Sequence, residues 1–145
     1  MDKKDALLIL EENYTSPITK VWAAITEVEQ MRQWFFADIP DFSPTVGFHT
    51  EFDVQAPSRI FRHLWTITEA EPPHRITYKW HYTDCPGLGY VTFELTDMDV
   101  GVTRCRLVNS IIESYPSELP EFKRESAMGG WTHFLGQLKE HLAKN

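Results

Sequence analysis

The sequence predicts an α+β fold: a curved antiparallel sheet of about six strands wrapped around one long C-terminal helix, with two short helices after the first strand. Three observations carry this reading. Met128, Trp131, Leu135, Leu138 and Leu142 are spaced three, four, three and four apart. At about 100° per residue they share one helical face, which Phe134 widens, while Glu125, Lys139 and Glu140 lie on the opposite side. Between Val46 and Asn109, apolar residues recur at every second position in runs separated by Pro, Gly and Asp, the period of half-buried strands. These runs follow one another through short connections, so neighbours should pair antiparallel. Such a sheet must bury one face, and a helix over 120–144, about 36 Å long, is long enough to cover it.

Each element has its own signal. Residues 6–14 are rich in Leu and Ile and read as the first strand. Ser16-Pro17 reads as an N-cap followed by proline at the first helical position. Ile18, Val21, Trp22 and Ile25 then keep helical spacing. Thr26 and Glu29 fit a capping box opening a second short helix with Val28, Met31 and Trp34 on its buried side. Residues 38–47 read as a loop. Strands follow with Val46, Phe48, Phe52 and Val54 facing one way, then Phe61, Trp65 and Ile67 within 59–70. Pro72-Pro73 breaks that run. Ile76, Tyr78, Trp80 and Tyr82 alternate most cleanly. Residues 84–89 read as a Pro/Gly turn, Val91, Phe93 and Leu95 as the next strand, and 97–101 as a hairpin connection. Thr103, Cys105, Leu107 and Asn109 form the last inward parity.

Composition narrows the function. The 145 residues are a common size for one domain, and 1–145 is read as a single one. With 42% hydrophobic, 13% aromatic and 24% charged residues, the chain can build a real core. A net charge of −7 and the lack of a basic run disfavour nucleic acid as a partner. No apolar run approaches the ~20 residues of a membrane span. Cys85 and Cys105 form no CxxC and read as free thiols of a cytoplasmic protein.

Chemistry-bearing motifs are sparse. The six histidines show neither HxH nor HExxH, so no metal or other cofactor is expected, and solvated or hydrogen-bonded histidines account for them. Glu12 shares a parity with Leu8, Leu10 and Tyr14 if those face inward; in an apolar pocket its pKa would rise, as a proton donor needs. Tyr78, Tyr82 and Asn109 share parities with apolar neighbours. They are either core residues satisfied locally or the convergent polar groups of a small-molecule site. Trp34, Phe52, Trp65, Tyr78, Trp80, Phe93 and Trp131 suit either a packed core or walls around an apolar ligand. With Asn109, Met128 and Leu135 they make up the candidate ligand-binding set. Gly129 and Gly136 fall on the back of the last helix, with Phe122 on the same stripe. Each interior glycine costs about 1 kcal/mol relative to alanine, and close approach of a second copy would explain them; surface drift is the alternative.

Three patches resemble the family related to the activator of Hsp90 ATPase, within the START/Bet v 1-like (SRPBCC) superfamily. They are Tyr14-Thr-Ser-Pro17 with Val21-Trp22 and Trp34-Phe35; Glu69-Ala-Glu-Pro72-Pro73-His-Arg-Ile76; and Gly130-Trp131 followed by Leu135 and Leu138. The family often carries Asp-Pro after the first helix, where this chain has Glu27-Val28. The resemblance implies a helix-grip fold whose cavity, between sheet and long helix, takes lipids, polyketides and other apolar molecules elsewhere in the superfamily. It implies no transferable catalytic motif.

The leading expectation is therefore a binding protein for a small apolar ligand. The alternatives are a chaperone-linked module acting on an Hsp90-type ATPase and a cyclase- or hydratase-like enzyme using the same cavity. The family's larger members rely on an additional N-terminal domain, for which this sequence is expected to have no room. Mixing the purified protein with an Hsp90-type ATPase should accordingly leave ATP turnover without a several-fold, saturable rise.

Overall fold

The computed structural model describes residues 7–116 and 118–144. Along the chain run β1 (Leu7–Tyr14), α1 (Ile18–Thr26), α2 (Val28–Trp34), β2 (His49–Gln55), β3 (Ile60–Glu71), β4 (Arg75–Tyr82), β5 (Cys85–Asp99), β6 (Val102–Glu113), a 3-10 turn at Pro120–Phe122, and α3 (Arg124–Lys144). The six strands form one antiparallel sheet in the order β1-β6-β5-β4-β3-β2. This is the helix-grip α+β arrangement expected. The start of the first strand at Ala6 lies outside the described residues.

Register follows from the alternation. Trp65 lies opposite Trp80, Ile67 opposite Tyr78, Ile76 opposite Phe93, Phe93 opposite Leu107, and Leu8 and Val91 both opposite Asn109. Large apolar side chains thus meet across every strand pair on the concave face, where cross-strand packing stabilises a sheet most. The convex face is ionic: Arg75 pairs with Glu69 at 2.9 Å and Glu94 at 2.8 Å, and Arg62 with Glu51 and Asp53 at 3.2 Å each.

Helix α3 buries Trp131, Leu135, Leu138 and Leu142, with Met128 and Phe134 half-buried beside them. Polar anchors fix its position. The buried Tyr14 hydroxyl donates to the Leu135 carbonyl at 3.0 Å, and Lys20 Nζ donates to the Leu142 carbonyl at 3.1 Å. The lysine places a positive charge at the negative end of the helix.

Several local expectations need correction. α1 is preceded by extended Pro17 with no side-chain cap, while the Ser16 carbonyl accepts a 2.7 Å bond from Thr103 Oγ1. The Thr26–Glu29 capping box does not form. Thr26 still belongs to α1, so its hydroxyl donates back to the Trp22 carbonyl at 2.7 Å. Residues 84–89 are not a turn: β5 begins at Cys85, and Asp84, with φ 58°, makes the reversal. The helix predicted from 120 starts at Arg124, because Lys123 is extended (ψ 148°) and ends the 3-10 turn. Phe122 consequently leaves the glycine stripe and packs inward against Tyr115, 4.7 Å between ring centroids. Gly129 and Gly136 stand open, with nothing within 4 Å of a built Cβ.

The centre of the core is Phe35, which follows α2. Its ring stacks on Trp34 at 4.7 Å and on Trp65 at 5.5 Å, meets Phe134 edge-on at 4.9 Å, and lies 5.9 Å from Trp131. It therefore joins the helical elbow, the sheet and α3. Phe35→Ala should cost about 3–5 kcal/mol, read as a lowered urea midpoint with an unchanged transition slope.

Candidate functional site

A cavity of about 280 Å³ lies between the concave sheet face and the N-terminal half of α3. Its position follows from the elements around it. β3 and β4 supply Phe61, His63, Trp80 and Tyr82; β5 and β6 supply Val91, Asn109 and Ile111; α3 supplies Ala127, Gly130, Trp131 and Phe134. Tyr115, Glu121 and Phe122 close it from the segment leading into α3, and Phe36 projects from the loop after α2. Gly130 is itself exposed, so the space reaches the surface there.

Tyr115 owes its position to two glycines. A Cβ at Gly87 would lie 2.2 Å from the Tyr115 ring, and one at Gly89 would lie 3.0 Å from its hydroxyl. Without those side chains the ring lies flat on β5, and its hydroxyl donates to the Trp80 carbonyl at 2.8 Å. Gly87 also has φ +119°, which side-chain-bearing residues rarely adopt. On the other side Glu121 accepts from Ser58 N at 2.8 Å and Ser58 Oγ at 2.6 Å, tying the 3-10 turn to the β2–β3 hairpin.

Three polar groups face the space with bonding capacity left over. The Tyr82 hydroxyl accepts from Trp80 Nε1 at 2.8 Å and keeps its own hydrogen; burial raises its pKa well above the ordinary phenol value, so it stays protonated. Asn109 makes no side-chain hydrogen bond among the described residues. His63 is only 6% exposed. Burial pulls its pKa down to about 4, against a smaller opposing pull from its bond to the Phe61 carbonyl. The ring is therefore neutral near pH 7. Among the described residues, no lysine or arginine lines the cavity.

Of the candidate ligand-binding set, Trp80, Asn109 and Trp131 line this cavity, as does Tyr82, singled out with them as a polar group. Trp34, Phe52, Trp65, Tyr78, Phe93 and Leu135 lie in the packed core, and Met128 is half-buried beside it. The reason is a filling that periodicity does not show. Phe35, Phe36, Ile39 and Phe42 turn inward from the segment after α2, and Phe42 stacks on Tyr78 at 5.6 Å. The Tyr78 hydroxyl and Trp65 Nε1 are left buried without a partner among the described residues. Glu12 does keep the inward parity. It sits at the sheet–helix edge, outside the cavity lining, with Lys139 Nζ at 3.7 Å. Phe36, His63 and Tyr115 are among the lining residues that the sequence did not single out. For His63 the signal existed, since it shares the parity of Phe61, Trp65 and Ile67.

A curved antiparallel sheet gripping a terminal helix around an apolar cavity defines the helix-grip class of proteins. Within it, the chain belongs to the family described as activator of Hsp90 ATPase homolog 1-like protein, whose profile matches residues 15–143. No curated protein matches the sequence. Among solved structures, a Chromobacterium violaceum protein is similar with a TM-score of 0.79 at 19% identity, over 94% of this chain and 96% of that one. DynU16, from the dynemicin biosynthetic locus, has a TM-score of 0.73 at 21% identity; the match covers 95% of this chain but 47% of that one, so this chain spans about half of it. CalU16 from Micromonospora echinospora has a TM-score of 0.67 at 22% identity, over 94% and 75% of the two chains. At these identities the likeness establishes the fold.

The buried imidazole makes stability pH-dependent. The unfolded ring takes a proton near its ordinary value of 6.5 and the folded one only near 4, so between these values the unfolded state binds more protons. The neutral ring's contribution is full above about pH 6.5 and is lost as pH falls toward 4, up to roughly 3 kcal/mol at about 1.36 kcal/mol per pKa unit. Burial also lowers His81 and His141 and acts in the same direction. Urea midpoints measured from about pH 7 to about pH 4.5 should fall less steeply in His63→Phe than in the wild type.

Proposed function

We propose that the protein binds a small, largely apolar molecule, of aromatic-polyketide or lipid kind, in the cavity between the sheet and α3. The observation that carries this reading is the cavity itself, about 280 Å³ of aromatic-walled space containing polar groups with unspent hydrogen-bonding capacity. Ligand pockets typically run from about 300 to 1,000 Å³, so a compact ring system suits this volume better than a long acyl chain. Trp80 and Trp131, edge-to-face at 5.6 Å, offer indole surfaces for such a ring. Affinity about micromolar, or roughly −8 kcal/mol, is expected, because apolar burial is partly offset by ordering costs.

Other readings draw on less. Action on an Hsp90-type ATPase is supported by the family description. Self-association is supported by the open faces at Gly129 and Gly136. An enzyme of cyclase or hydratase kind would start from the polar groups lining the cavity, not from Glu12.

Titration of a mixed library of planar apolar compounds, followed by amide NMR, tests the leading reading. Amides of α3 around Trp131 and of the strands carrying Trp80 and Asn109 should shift together. If no compound moves both sets, a scaffold or partner role takes first place.

A further inference from the structure

His63 presents a defined hydrogen-bonding face to the cavity. Its Nδ1 lies 3.2 Å from the Phe61 carbonyl. A carbonyl only accepts, so Nδ1 carries the hydrogen and, in the neutral ring, Nε2 is left as a bare lone pair. No described residue hydrogen-bonds to Nε2. The ring cannot turn freely to find another partner. Phe52 stacks on it at 5.1 Å, while Tyr82 at 4.9 Å and Trp80 at 5.6 Å meet it edge-on. Nε2 is not among the fully buried polar atoms without a partner, so it stays accessible to a donor, and a ligand's O–H would replace water there.

The surroundings determine what kind of donor fits. With no lysine or arginine among the described residues that line the space, a carboxylate would be desolvated without a counter-charge. Glu121, the one carboxylate among those lining residues, is held by Ser58. Tyr82 and Asn109 can serve a neutral oxygen, one through its O–H and the other through its amide. Resting on the ligand-binding reading above, we infer that the cavity selects neutral aromatic hydroxyl compounds, whose O–H donates to His63 Nε2. His63 is then a specificity-determining residue, and the aromatic walls supply affinity without discrimination.

Three probes of one ring system test this: naphthol, its methyl ether and naphthoate, titrated into the full chain and followed by amide NMR. Naphthol should bind about three- to ten-fold tighter than the ether, the ratio for one net hydrogen bond, with naphthoate weakest. In His63→Phe, which keeps a ring among the same neighbours, the naphthol-to-ether ratio should fall to about one while the ether still binds. Equal binding of naphthol and ether to the wild type would overturn the inference and leave the pocket reading intact. Tightest binding by naphthoate would overturn the neutral selection. Failure of all three to move any cavity amide would overturn both readings. The wild-type comparison decides the selection for a donating hydroxyl even if the variant does not fold, and an unchanged ratio in a folded His63→Phe would overturn the assignment to His63.

Discussion

The packing of Phe35 is the constraint on which the rest of the molecule depends. A curved sheet and a helix laid across it leave a wedge of space that regular elements cannot fill. Here the wedge is filled from a third direction. α2 ends at Trp34, and the next two side chains, Phe35 and Phe36, enter between Trp65 and Trp80 on the sheet and Trp131 and Phe134 on the helix. The short helices after β1 are thus more than a connection. Trp34 locks them by donating its indole N–H to the Ala24 carbonyl at 2.8 Å, and Tyr14 locks α3 through Leu135. Sheet, elbow and helix are mutually positioned by rings in stacked, edge-on and tilted contact, the first two being arrangements that aromatic quadrupoles favour.

The cavity begins where that filling stops. Beyond Phe36 the walls pass to a second, smaller cluster: Phe61, Cys85, Ile111, Tyr115 and Phe122. This cluster is assembled from strand ends and the segment leading into α3, and it is held by polar ties between distant parts of the chain: Tyr115 to the Trp80 carbonyl, and Glu121 to Ser58. The space between the two clusters is where His63, Tyr82 and Asn109 retain unused capacity. Elsewhere in the core, the Tyr78 hydroxyl and Trp65 Nε1 also lack partners among the described residues; their neighbours are packed rings, and neither residue lines the cavity.

Much of this could be read before the structure was known. The parity of Ile76, Tyr78 and Trp80 specified the concave face of β4, and the three-four spacing from Met128 to Leu142 specified the buried face of α3. These signals are periodic because regular backbone geometry makes them so. The filling residues Phe35, Phe36, Ile39 and Phe42 lie in a segment without a period, so nothing in their spacing revealed that they point inward. Trp34, Phe52 and Phe93, which from their spacing suit either core or walls, lie in the packed core because of that filling. Gly87 and Gly89 read as turn residues because glycine usually marks a turn. Their role depends on Tyr115, a contact across the sheet that local sequence cannot express. The caps failed for a related reason, since Thr26 had a nearer acceptor one turn back in its own helix.

The charged ladder on the convex face has a further consequence at the sheet's border. β2 is an edge strand, so a row of its backbone groups lies open to another chain. Of its outward residues, Glu51 and Asp53 pair with Arg62 on the neighbouring strand, and His49 pairs with Glu51. An incoming copy docking antiparallel along that border would set carboxylate rows beside one another and pull Arg62 between competing partners. Continued growth of the sheet from molecule to molecule, the first step toward fibrillar aggregation, is thereby discouraged at the border nearest the cavity.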